Sequence, residues 1–519
     1  MGVRVDTTYG AVEGIEEDGL SIFKGIPFAA PPIGERRWLP PAPPEPWEDV
    51  RPAKEFSAAC PHSDMPGGVE SVWKVRSRQD EDCLYLNVWT PGIDDKRRPV
   101  MVWIYGGGLD FGATSLPAYD GKRIARRGDI VLVTVNYRVG PFGFLNLIEV
   151  TNGAIPASGN EGLLDVVAGL EWVRDNIAAF GGDPGNVTIF GESAGGWAAG
   201  TLLAMPSAKG LFHKAIAQSG VGHMALDIDS ARSLGQDFLD ALCVAGGDVE
   251  KMRGASPAEI LDATRTLGKG VMDPDPKLRD RYIRNVIDGR VLPRSILDLV
   301  AEGSAANVAL MVGTTSNELG ILPASEEMSM DDIPDLVTQF VPKEVDVAEM
   351  AGAYQAARRS RGARASAKDV GIAMAADGAI RMPGLRLLDV QRRHQPATYH
   401  YIFTWNSPMG DGTLGSVHGT DIGIVFGTHA YDEMHANYFG AGPAADAMSD
   451  AMMDAWVAFA RTGDPSTESL GNWPPYGDAR RTMMIGERSH VVDAPFEDER
   501  LAWEAYPDEI VFFSPWFKS

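Results

Sequence analysis

The chain has 519 residues, 44% hydrophobic and 23% charged, the make-up of an ordinary soluble globular protein with enough length for a large core. Its formal charge of −24, from 71 acidic against 47 basic residues, argues against nucleic acid or an anionic membrane surface as partner. No stretch reaches the run of about 18 apolar residues that a membrane helix needs, and three cysteines without a C-x-x-C pair argue against a cysteine-built metal site.

The first residues, Met1-Gly2-Val3-Arg4-Val5-Asp6, lack the apolar core of a signal peptide, so the expected location is cytoplasmic; a chain whose leader had been removed would read the same. Val3, Val5 and Val12 suit short strands around Tyr9-Gly10. Residues 31–47 are rich in proline. That composition suits a linker or a partner ligand, but Phe28, Trp38 and Trp47 offer anchors for an ordered surface loop. Residues 84–89 and 100–105 read as strands, and 129–137 as a central strand covered on both faces. Leu163, Val166, Val167, Leu170 and Val173 mark an amphipathic helix over 160–180, stopped by Gly181-Gly182-Asp183-Pro184. Strand candidates follow at 187–190, 214–218, 308–312 and 398–404. Residues 226–300 and 321–395 read as helical insertions capping the sheet. Cys243, in an apolar helical run, is expected as a buried free thiol. Alternation of strand and helix predicts an α/β protein. Length allows about three domains, but the strands are spread along the chain without a repeat, so one domain over 1–519 is expected.

The chemistry concentrates at Gly191-Glu192-Ser193-Ala194-Gly195, between the 187–190 strand and a small-residue helical run. This is G-x-S-x-G in strand–turn–helix context, and Ser193 is the one serine with glycine at both flanking positions. The glycines relieve crowding in a strained turn, and the serine Oγ projects at a helix start where free amides face a developing oxyanion. A plain Gly-rich turn is the bland alternative. A serine needs a base, and the base a third group to hold its tautomer; in α/β-hydrolases the chain order is serine, acid, histidine. Among nine histidines, His418 lies in a Gly-rich loop after the 398–404 strand, whereas His400 falls inside a strand pattern and His490 near an edge. Glu318 follows the 308–312 strand on a polar loop, with Asp411 and Asp421 as competitors. Tyr105-Gly106-Gly107-Gly108 follows a strand, so its amides can converge with that of Ala194 on a carbonyl oxygen. A phosphate cradle is the alternative, but Leu109-Asp110 follows where lysine would be needed, and an aspartate repels phosphate.

Together these segments resemble the type-B carboxylesterases, the group that includes cholinesterases and bacterial p-nitrobenzyl esterases. The resemblance spans nearly the whole chain. It is carried by Phe23-Lys24-Gly25-Ile26-Pro27-Phe28-Ala29 with Pro31-Pro32-Ile33-Gly34-Glu35-Arg36-Arg37, by Glu81-Asp82-Cys83-Leu84-Tyr85-Leu86-Asn87-Val88, and by Asn136-Tyr137-Arg138, Gln218-Ser219-Gly220 and Asn472-Trp473-Pro474. It implies an α/β-hydrolase fold, a large central mostly parallel sheet flanked by helices with helical cap insertions. It implies ester hydrolysis by Ser193, Glu318 and His418 through an acyl-enzyme, with Gly107, Gly108 and Ala194 as oxyanion donors and no cofactor or metal. Glu192 would tune the electrostatics, Ser219 and Asp421 would stand near the histidine, and Cys60 and Cys83 match the family's N-terminal disulfide. The implied partner is a small-molecule ester. Leu109 departs from the family's usual phenylalanine, and Trp73 falls near the choline-binding tryptophan of cholinesterases in a different loop.

Other readings stay open on residues alone. A related amide or carbamate hydrolase would use the same triad. A non-catalytic adhesion module would lack the nucleophile that this chain has. A serine enzyme using S-x-x-K finds matches at Ser21-Ile22-Phe23-Lys24 and Ser71-Val72-Trp73-Lys74, neither opening a convincing helix.

Overall fold

The apolar runs become the middle of a thirteen-stranded sheet in the computed structural model, which describes residues 2–63, 71–244, 247–268 and 282–512. The strands are β1 (Gly2–Thr7), β2 (Gly10–Glu17), β3 (Leu20–Pro27), β4 (Arg51–Pro52), β5 (Tyr85–Thr90), β6 (Arg98–Ile104), β7 (Val131–Val135), β8 (Gly182–Glu192), β9 (Lys214–Gln218), β10 (Ala309–Thr315), β11 (Thr398–Phe403), β12 (Arg481–Ile485) and β13 (His490–Asp493). Their order is β1-β2-β3-β5-β7-β6-β8-β9-β10-β11-β12-β13, with β4 beside β2. Neighbours pair in parallel from β7 through to β12 and antiparallel along the strand order on either side of that run, with β4 parallel to β2. Every residue of β6, β7, β10 and β11 is buried. A strand covered on both faces needs apolar side chains on both, which is why these runs do not alternate. The registers Ile104↔Gly191, Glu192↔Gln218, Gly313↔Gln218 and Thr315↔Phe403 align the carboxyl ends of β6, β8, β9, β10 and β11. Loops leaving those ends therefore meet on one rim of the sheet.

The long amphipathic helix runs Glu161–Asn176, and its expected tail tightens into a three-residue-per-turn segment, Ile177–Phe180. Gly181, at φ +79°, ends it in the left-handed region where glycine is unstrained. Strand β8 then starts at Gly182, five residues before its apolar stretch, because Gly182 still pairs with Arg98. Helices form in both regions expected as insertions, 226–300 and 321–395, of which 245–246 and 269–281 lie outside the described residues. Of these helices, Met382–Gln391 packs on β10 and β11 and so flanks the sheet rather than capping it. Cys243 differs from expectation: its helix ends at Ala241, and the residue sits exposed at φ +56° past the terminus. Among the described residues, no helix is long and apolar enough to cross a membrane.

The Pro-rich segment is an ordered loop. Trp38 is 1% exposed and donates Nε1–H to Pro141 O at 2.9 Å, while Trp47 donates to Ala11 O at 2.8 Å. Arg37 is a further, polar anchor. Its guanidinium makes a bidentate pair with Glu81 at 2.7 and 2.5 Å, and donates to the carbonyls of Arg253 at 2.8 Å and Ala255 at 2.7 Å. Planar, doubly bonded geometry of this kind gives a buried ion pair its compensation. The two N-terminal signature segments are thus locked to each other and to a helical insertion.

Candidate active site

Ser193 stands between β8 and helix Ala194–Leu202, at φ +57° and ψ −123°. A serine in that region costs on the order of 1–3 kcal/mol, so its surroundings must hold it there. They do so by contact: its amide donates to Gln218 O at 2.8 Å, and its carbonyl accepts from Trp197 N at 2.9 Å. The turn also leaves no room for side chains beside it. A methyl at Gly195 would lie 2.0 Å from Ile104 O, and one at Gly191 would lie 2.5 Å from Gly195 C. The flanking glycines of the motif are therefore demanded by close backbone approach.

Glu318 is three residues beyond β10 and is 2% exposed. Its Oε1 accepts from Thr315 N at 2.7 Å and from Ser219 Oγ at 2.6 Å. Its Oε2 lies 2.7 Å from His418 Nδ1. The two loops are zipped together: His418 N donates to Glu318 O at 3.1 Å, Asn317 N to Ser416 O at 2.9 Å, and Asn317 Nδ2 to Leu414 O at 2.9 Å. Tyr438 holds the other side of the histidine loop by donating to His418 O at 2.8 Å. His418 is pinned in this way but keeps 28% of its side chain exposed.

The other nitrogen, Nε2, stands 3.3 Å from Glu192 Oε1, an ion-pair distance without hydrogen-bond alignment. Ser193 and Glu192 crowd Gly106 together: a methyl there would lie 3.1 Å from Ser193 Cβ and 3.1 Å from Glu192 Oε2. Burial pushes the Glu192 carboxyl up, and repulsion from Asp421 and Glu318 adds to it. Burial works against a charged His418, but Glu192, Glu318 and Asp421 outweigh it and raise the imidazole. The site thus holds a histidine surrounded by carboxylates, strongly biased toward imidazolium formation.

Asp421, a competitor for the acid role, does not touch the ring. Its Oδ2 accepts from Gln218 Nε2 at 2.9 Å and Tyr401 Oη at 2.8 Å, and Trp456 Nε1 donates on to Gln218 Oε1 at 3.1 Å. Asp411 lies on an exposed loop. His400 is buried against Thr482, and His490 is exposed on β13, as their sequence contexts suggest. Gly107 and Gly108, at φ +110° and +65°, turn the chain sharply after β6. Among the described residues, the amides of Gly107, Gly108 and Ala194 donate to no acceptor, leaving three N–H groups unclaimed in this region. Thr315, Gln218, Tyr401 and Tyr438 complete the support. Of these only Gln218 falls in a sequence signature; the others leave no local pattern.

Three further expectations resolve in the structure. Cys60 and Cys83 are free thiols, both buried, rather than the implied disulfide. The Cys83 thiol is held up by its hydrogen bond with Cys60 and by burial, and Cys60 Sγ accepts from Val139 N at 3.5 Å. Leu109 is 1% exposed and packed in the core. Trp73 packs edge-on against Tyr438 and Phe439 at 5.8 and 5.9 Å, flanking the histidine loop.

The carboxylesterase family model matches residues 2–503. The para-nitrobenzyl esterase of Bacillus subtilis (strain 168) is 36% identical over 499 residues, covering 96% of this chain and 97% of its own. A solved PNB esterase superposes with TM-score 0.83 at 34% identity, over 96% of this chain and 99% of that one. A Geobacillus stearothermophilus carboxylesterase gives TM-score 0.82 at 36% identity, with the same coverage.

Proposed function

The chain belongs to the carboxylesterase family, and from that premise we propose that Ser193, His418 and Glu318 hydrolyse small carboxylic esters through an acyl-enzyme. The observation that carries the assignment of roles is the 2.7 Å contact of Glu318 Oε2 with His418 Nδ1. It supports a proton on Nδ1 with Nε2 left as the base that takes the Ser193 proton.

Nε2 takes the Ser193 proton as Oγ attacks the carbonyl carbon. Negative charge builds on the carbonyl oxygen, opposite the unclaimed amides of Gly107, Gly108 and Ala194. Amides held free for the developing charge would need little reorganisation in the step. The imidazolium, held by Glu318, then protonates the leaving alcohol. Water repeats the sequence on the acyl group, and the acid and Ser193 Oγ are released. Glu192 lies on the Nε2 side of the ring and favours the imidazolium of each transition state. Ser219 fixes the Glu318 carboxylate, and Asp421 holds the adjacent Gln218 side chain. The Bacillus subtilis relative is named an esterase and the Geobacillus stearothermophilus structure a carboxylesterase, which favours esters over amides, although another relative, 32% identical, is named a phenmedipham hydrolase.

The test is Ser193→Ala against a chromogenic short-chain ester, with fluorophosphonate labelling of the parent protein. Turnover should fall by about 10⁴-fold or more, since a triad serine acts as part of a unit. Activity within tenfold of the parent, or labelling that survives the substitution, defeats the assignment.

A further inference from the structure

Asp110 follows the glycine turn and takes no part in the reaction. Its backbone is fixed, with its amide donating to Gly107 O at 3.0 Å while the adjoining Leu109 O accepts from Gly140 N at 2.6 Å. Its carboxylate has no partner: among the described residues, no side chain or amide donates to it and no cation pairs with it. The residue as a whole is half-buried. Burial, with no positive neighbour to offset it, pushes the carboxyl up to about 6.

A second polar group shares this corner. Tyr282 is 6% exposed, and its hydroxyl has no hydrogen-bond partner. A methyl at Gly108 would lie 2.4 Å from that hydroxyl oxygen, so the phenol rests on the glycine whose amide is a proposed oxyanion donor. Burial and the Asp110 charge raise the phenol, and the Arg284 guanidinium works against them. Its ring face is taken, by the Arg284 guanidinium at 5.4 Å, so the hydroxyl is the part left for a ligand. Buried polar groups in native proteins are almost always satisfied, and exceptions gathered in a cleft mark binding sites.

We propose that Asp110 and Tyr282 form a polar subsite beside Gly108 that selects esters carrying a protonated amine. The inference rests on the ester-hydrolysis reading above. Carboxylate is an acceptor only, so the N–H of a protonated amine satisfies it, and the phenol oxygen can accept a share of the same N–H. An anionic substituent would meet an unpaired carboxylate, and a purely apolar one would leave both groups unsatisfied.

The experiment compares 2-(dimethylamino)ethyl butanoate with its neutral isostere 3-methylbutyl butanoate at pH 7.5. In the parent protein kcat/KM favours the ammonium ester by about tenfold, the worth of one charge-assisted hydrogen bond. In Asp110→Asn that ratio falls to about one to two, and in Tyr282→Phe it falls by about threefold. A parent ratio near one, a ratio unmoved in Asp110→Asn, or a proportional loss on both esters overturns the proposal. A binding arm separates it from the reaction itself. Ser193→Ala is titrated calorimetrically with the ammonium ester, with and without Asp110→Asn. The affinity should drop by about tenfold on adding the second substitution, and an unchanged affinity overturns the subsite. Failure of the parent to hydrolyse either ester overturns the reaction assigned above, and the calorimetric arm then decides the subsite alone.

Discussion

Replacing Glu318 by glutamine keeps the volume of the side chain, removes its charge and exchanges one acceptor oxygen for a donor amino group. In the parent, Oε1 serves two donors, Thr315 N at 2.7 Å and Ser219 Oγ at 2.6 Å, and Oε2 serves His418 Nδ1 at 2.7 Å. Glutamine has one oxygen and one amino group. The Thr315 amide can only donate, so the oxygen must take the Oε1 place. The amino group then faces Nδ1 and donates to it. Imidazole answers by carrying its proton on Nε2, the side where a base is required. The expected loss is about 10⁴-fold in kcat, or about 5.5 kcal/mol of transition-state stabilisation, as for other triads locked in the wrong tautomer. The assay is steady-state hydrolysis of p-nitrophenyl acetate, with circular dichroism to show that the variant is folded. Asp421→Asn is the control. Its single remaining oxygen can still accept from both Gln218 and Tyr401, so a loss of less than about tenfold is expected. A Glu318→Gln loss below tenfold, or an Asp421→Asn loss equal to it, refutes the assignment of the acid.

Four other outcomes follow from the same geometry. Glu192→Gln removes the carboxyl 3.3 Å from Nε2 that helps to raise the imidazole, so the His418 pKa falls and the acid limb of the kcat/KM profile moves to lower pH; a limb that stays or moves up contradicts the electrostatics described. Ser219→Ala deletes the 2.6 Å bond to Glu318 and should lower kcat by up to about tenfold without changing KM, read from full saturation curves. Arg37→Ala leaves Glu81 buried without its cation and should cost about 3–5 kcal/mol of stability in urea unfolding. Thiol titration of the native protein should label Cys243 alone, with Cys60 and Cys83 reacting only in denaturant; absence of those two thiols after unfolding would show that they are bonded.

How much of this was legible in the sequence depended on whether the signal was local. The serine turn was legible because Gly191 and Gly195 answer steric demands within two residues of Ser193. The central strands were legible because burial on both faces leaves an unbroken apolar run. Glu318 and His418 were found by combining a strand with the loop after it, and by the order of the family's triad. Cys243 was misread because the run Phe238-Leu239-Asp240-Ala241-Leu242 looks helical throughout, while the chain leaves the helix at Ala241. The Cys60–Cys83 pairing was carried over from resemblance, and proximity of two thiols does not require a bond. Tyr282 was invisible: it approaches Gly108 across the fold, from a segment with no pattern around it. The open hydroxyl and the lone carboxylate of Asp110 emerge only when every nearby donor and acceptor can be counted.

The guanidinium of Arg37 sets a schedule for synthesis. Glu81 is 44 residues downstream, but two of the carbonyl acceptors belong to residues 253 and 255, separated from it by 216 and 218 positions. At a translation rate of about 5–20 residues per second, roughly 10–40 s pass between the appearance of Arg37 and that of its last acceptor. The front of the sheet therefore cannot be sealed while the first strands emerge from the ribosome. It closes only after about half of the message has been read, so a stall in that interval would leave the amino-terminal strands without the contacts that fasten them to the rest of the chain.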